Sequence, residues 1–131
     1  MKIYVAGKWG ERQICKQVMT AIERDGHEIT CDWTNHDYPP SGTPESEKQA
    51  LLQKWASLDI QGVRDADALV FIAIIELNYR GAFVEMGAAL GKGIPVFVIG
   101  HGIDTCVFID HPLIRKVEKI AHILPALKSG N

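Results

Sequence analysis

Two uninterrupted apolar runs, LVFIAII at residues 69–75 and IPVFVI at residues 94–99, constrain this chain more than any other feature. A strand with one wet face alternates apolar and polar side chains. These runs do not alternate, so they predict strands buried on both faces, and such strands belong to parallel sheets covered by helices on each side. The run from residue 68 to 75 is also far too short to cross a bilayer.

The rest of the chain reads accordingly. IYVA at residues 3–6 predicts a first strand, EITC at 28–31 a second, and VFI at 107–109 a short fifth. Helical spacing fills the intervals. Ile14, Val18, Ala21 and Ile22 form one stripe within 11–25, and Leu51, Leu52, Trp55, Leu58 and Val63 recur within 46–64. Further helices are predicted over 81–91 and 112–127, with Asp25-Gly26 and Gly91-Lys92-Gly93 as stops. Residues 32–45 are rich in Pro, Gly, Asn, Asp and Thr and predict a long loop, a length that in a small domain often serves function. Strand–helix alternation predicts an α/β protein. The expected architecture is a three-layer α/β/α sandwich with a mostly parallel sheet of about five strands, flavodoxin- or Rossmann-like, in one domain spanning residues 1–131.

Composition excludes several function classes. Hydrophobic residues make up 47% of the chain, charged residues 23%, and the formal charge is -2, without a long basic run for a nucleic-acid polymer. The N-terminus, MKIYVAGKWGERQ, turns polar too soon for a secretion signal, so a cytoplasmic protein with no membrane partner is expected. Cys15, Cys31 and Cys106 suit neither a disulfide framework nor a zinc site, and the five histidines lack ligand spacing; no metal is expected.

In an open parallel sheet, ligands sit beyond the carboxyl ends of the strands. Three segments fall there: 7–10, 76–81 and 100–105. Glu85 follows the second of them, near the start of a helix whose amide dipoles favour a charged carboxylate, and Gly81 and Gly87 remove bulk beside it. By position alone Glu85 reads first as an ordinary helix glutamate and Asp59 as a solvated helix charge. Tyr4 and Trp9 flank the first strand end, as stacking groups for a planar base or as packing residues. GKWGER lacks the Gly-Lys-Ser/Thr ending of a phosphate loop.

Three stretches, in order, make the pattern more specific: IYVAGKWGERQ, LDIQGVRDADALVFIA and GAFVEMGAALGKGIPVFVIG. Over roughly residues 2–100 the chain resembles the nucleoside 2-deoxyribosyltransferase superfamily, which includes the 2'-deoxynucleoside 5'-phosphate N-hydrolases. The resemblance implies that Glu85 is the nucleophile toward the anomeric carbon, that Asp59 assists near the nucleobase, and that Tyr4 orients the glutamate. It further implies that Gly7 and Trp9 belong to the segment approaching the base, and that Tyr79 and Gly81 are among the substrate-binding positions. Tyr79 departs from the pattern, because the transferases carry an acid there and the nucleotide hydrolases a serine. Relatives complete the pocket with a polar residue of a neighbouring subunit, for which Asp110 or His111 is the candidate here, so a homodimer or higher homo-oligomer is implied, with helix 46–64 as a candidate interface.

The chemistry agrees with these residue types. Cleaving an N-glycosidic bond builds positive charge on the sugar, which a carboxylate stabilises or captures, while a second acid serves the departing base. No cofactor is needed. The expected substrate is a small-molecule nucleoside or nucleotide, cleaved or transferred at its N-glycosidic bond. The alternative is a non-catalytic nucleotide-binding or signal-sensing protein on the same fold. A third reading is a glycosidase for a ribosyl substrate such as a cytokinin precursor or NAD.

Overall fold

The computed structural model describes residues 1–75 and 79–129. Five strands form one sheet: β1 (Lys2–Ala6), β2 (Glu28–Ile29), β3 (Ala68–Ile72), β4 (Val96–Ile99) and β5 (Ile114–Val117). All neighbours pair in parallel, in the order β2-β1-β3-β4-β5. Four helices join them, α1 (Arg12–Arg24), α2 (Glu45–Asp65), α3 (Arg80–Lys92) and α4 (Ile123–Ser129), giving the expected three-layer α/β sandwich.

The apolar runs are the centre of this sheet. Ile3 to Ala6 of β1 and Ala68 to Ile72 of β3 are each 0% exposed, and β4 is buried throughout. Side chains of a strand alternate between its faces. Tyr4 therefore turns toward the layer holding α2 and α3, which pack against each other. The opposite helix α1 contributes Cys15, Val18, Met19 and Ile22 to the core at helical spacing.

The C-terminal third departs from the sequence expectation. Residues 107–109 are not a strand; Val107–Asp110 is a 3-10 turn that leaves Val107 78% and Phe108 55% exposed. The fifth strand is β5 instead, within the segment expected to begin the terminal helix, and the helix there shrinks to α4. Ile114 and Val117 are buried while Lys116 lies in solvent, the mixed signature of an edge strand rather than a buried one. The central strand also ends early, at Ile72. Past it, the Ala73 carbonyl accepts from the Gly102 amide, and Ile74 and Ile75 emerge into solvent.

Among the described residues no helix is long and apolar enough to cross a membrane.

Candidate active site

Strand order reverses between β1 and β3, and the crevice outside the carboxyl ends of these two strands is the natural ligand site of such a sheet. A cleft of about 370 Å³ opens there. Its walls are Gly7, Lys8 and Trp9 after β1; Trp33, His36 and Tyr38 after β2; Leu52, Trp55 and Asp59 on α2; and Tyr79, Arg80, Gly81, Ala82 and Glu85 around the start of α3.

Local forces explain each wall. A Cβ at Gly7 would lie 2.5 Å from Cys15 Sγ, so only glycine lets the chain leave β1 so close to α1. The loop after β2 is tied down at three points. Asp32 pairs with Lys16 and caps the Trp33–Asn35 turn by accepting from the Thr34 amide at 3.0 Å, and Trp33 Nε1 donates to the Val5 carbonyl at 2.6 Å. His36 then lies flat on Trp55, with ring centroids 4.9 Å apart and planes 6° from parallel. Leu52, Trp55 and Asp59 are spaced three and four apart, so one stripe of α2 faces the cleft.

Glu85 is one of two buried charged residues among those described, and Tyr4 donates its hydroxyl proton to Glu85 Oε2. Burial pushes the Glu85 carboxyl up to about 8; the Tyr4 bond opposes this, and the charge of Asp59 adds to it. This corrects the expectation of a dipole-stabilised carboxylate. α3 begins at Arg80, so Glu85 stands in its second turn, where the helix-end effect has faded and desolvation wins. Asp59 is half-buried, and burial raises its carboxyl too, while the Cys31 thiol, donating from 3.5 Å, and nearby His36 pull it down. Tyr4 is raised strongly, first by burial and then by the charges of Glu85 and Asp59, so it stays protonated and remains a donor.

The cleft brings together Glu85, Asp59, Gly7, Trp9, Tyr79 and Gly81, and Tyr4 lies beneath it bonded to Glu85. Asp110 is not among its walls: its side chain is 84% exposed and faces Lys116 at 3.6 Å. Gly87 is likewise elsewhere, in an apolar groove with Phe83, Leu90 and Phe108. Of the three strand-end segments, 7–10 and 79–81 reach the cleft, 76–78 lie outside the described residues, and 100–105 does not reach it. The Tyr79 hydroxyl turns into the protein, donating to the Ile75 carbonyl at 2.6 Å with Glu11 Oε1 at 3.2 Å, and the ring packs edge-on against Phe71 and Phe83. Burial pushes that hydroxyl up to about 12.

The aromatic wall of Trp33, His36, Tyr38 and Trp55 was not singled out from sequence. Its signals were the unusual length of loop 32–45 and the i, i+3, i+7 spacing of Leu52, Trp55 and Asp59. Among the described residues no group of three or more His, Cys, Asp or Glu side chains is arranged to hold a metal.

The chain is thus a doubly wound parallel α/β protein with a cleft at its switch point that holds both Glu85 and Asp59. No family model matches the chain, nor does any curated protein. Solved structures do. A CMP N-glycosidase from Clostridium botulinum superposes with a TM-score of 0.62 at 14% identity, covering 100% of both chains. The 2-deoxyribosyltransferase of Bacillus psychrosaccharolyticus gives 0.63 at 18% identity, covering 94% of this chain and 90% of its own. A conserved protein of Enterococcus faecalis V583 gives 0.64 at 16%, covering 100% and 99%. The chain thus shares the fold of these three structures.

Proposed function

We propose that this protein cleaves or transfers the N-glycosidic bond of a nucleoside or nucleotide, with Glu85 as nucleophile. The observation that carries the reading is the convergence of two carboxyl groups on one aromatic-walled cleft, one of them held by a buried tyrosine hydroxyl. Support comes also from the fold, shared with an N-glycosidase and a deoxyribosyltransferase.

In this mechanism the base lies among the aromatic side chains, which bind any heterocycle through its π-face. Glu85 attacks the anomeric carbon as the glycosidic bond breaks. The bonding pair passes to the base nitrogen, and the Asp59 carboxyl, kept protonated more readily by burial, supplies the proton or a hydrogen bond. Water or a second base then attacks the same carbon, Glu85 departs, and the Asp59 carboxylate accepts the proton released. Tyr4 fixes the attacking oxygen. Lys8 and Arg80 line the same cleft, and neither is ion-paired among the described residues, which suits an anionic 5'-phosphate. Asp110, on the surface outside its own cleft, would serve only through a second copy.

The test is chromatography after incubation with ribo- and deoxyribonucleosides and their 5'-monophosphates, with and without an acceptor base. Free base without acceptor indicates hydrolysis, and a new nucleoside with acceptor indicates transfer. Tight binding with no turnover would reject the enzyme in favour of the nucleotide-binding alternative.

A further inference from the structure

Resting on that reading, we infer that Gly62 is a positioning residue: its missing side chain seats α2 against the Tyr4 ring and so sets the separation of Asp59 from Glu85. The geometry is specific. A Cβ at position 62 would lie 2.8 Å from Cys31 Cβ, and 3.0 and 3.1 Å from Tyr4 Cδ2 and Cε2. None of these is the free end of a flexible chain. The Gly62 carbonyl accepts from Thr30 Oγ1 at 2.7 Å, which pins α2 to the chain leaving β2 at this level.

Asp59 stands three residues earlier on the same helix, roughly 4.5 Å along its axis. It takes its own hydrogen bond from Cys31, the residue that Gly62 touches. The Tyr4 ring therefore works as a spacer. Its flank meets the backbone that carries one carboxyl group, and its hydroxyl holds the other. Any side chain at position 62 pushes α2 outward by roughly half an ångström or more, since closer approaches than ordinary van der Waals contact are steeply repulsive. Asp59 then withdraws from Glu85.

The titratable groups interacting with Glu85 are Tyr4 on β1, Asp59 on α2, Cys31 after β2 and Cys15 on α1. Of these, Asp59 is the one whose charge raises the Glu85 carboxyl, so its withdrawal lowers Glu85.

The experiment compares wild type, Gly62→Ala, Thr30→Val and Ala56→Gly. Thr30→Val releases the pin without adding bulk at position 62. Ala56→Gly, on an exposed part of α2, serves as a control for lost helix stability. The readouts are melting temperature, the Glu85 titration followed by carbon NMR of labelled glutamate, and kcat and KM. Gly62→Ala is expected to move the Glu85 midpoint downward and to lower kcat by about tenfold or more with little change in KM. Thr30→Val is expected to shift the midpoint in the same direction by less, and Ala56→Gly to lower the melting temperature alone. A folded Gly62→Ala variant whose Glu85 titrates as in wild type overturns the inference, as does an unshifted Thr30→Val should Gly62→Ala not fold. The titration needs no turnover: an inactive wild type defeats the proposed function, yet the midpoints still decide the role of Gly62.

Discussion

Two clusters of titratable side chains sit at the carboxyl edge of the same sheet, and they behave differently. Beyond β1 and β3, Tyr4, Glu85 and Asp59 are buried or half-buried, and burial is the first cause of every shift among them. Beyond β4 and β5, His101 bridges Asp104 at 2.8 Å and Glu118 at 2.9 Å, with side chains 64%, 50% and 62% exposed. That cluster is richer in ion pairs. Its histidine is raised by its bonds to Glu118 and Asp104, but in full contact with water such pairing does little work. Proximity of charge alone does not make reactive groups; the withdrawal of water does.

The contrast can be broken or sharpened by substitution. The largest effect is expected from Glu85→Gln, which keeps the shape and removes the proposed nucleophile: base release should fall at least ~10³-fold while the far-ultraviolet dichroism spectrum is unchanged. Asp59→Asn, which removes the proposed general acid, should cost about 10²-fold in kcat, measured on the same substrate. Tyr4→Phe removes the bond that lowers the Glu85 carboxyl. In wild type the acid limb of kcat/KM is expected near 8, and in Tyr4→Phe it should move to higher pH with an activity loss of about tenfold.

The pH dependence of stability has a definite sign. In the fold Glu85 keeps its proton up to about 8, whereas its ordinary value is 4.5, so between these the native state binds the extra proton. The stability from this group is complete below the lower value and is lost as pH rises through the upper one. The melting temperature of wild type should therefore fall between pH 5 and pH 8.5 through this group, and Glu85→Gln should show a shallower decline. The smallest effect is expected at the exposed cluster: His101→Ala should leave the melting temperature within about 2 °C and base release unchanged.

The parts of the fold that were legible in the sequence are those where one physical signal dominates. β1, β3 and β4 are continuous apolar runs because both faces are covered. β5 was missed because an edge strand with Arg115 and Lys116 in its middle carries no such run, while Val107 and Phe108, which look like strand core, lie on the surface. Within the site, Glu85, Asp59 and Tyr4 came from motif resemblance. The ionisation of Glu85 did not, because it depends on how completely the fold excludes water from the second turn of α3. The contact of Gly62 with Tyr4 and Cys31 joins residues 58 and 31 positions away in the chain (62 − 4 and 62 − 31), and no local pattern reports it.

The borders of the sheet have a consequence for how copies of this molecule meet. On one side the last strand, β2, offers backbone partners over two residues, and on the other β5 presents a lysine in mid-strand. Neither is an inviting template for a foreign strand. Growth by strand addition, the route by which sheet proteins build fibrils, is therefore disfavoured at both borders of this sheet.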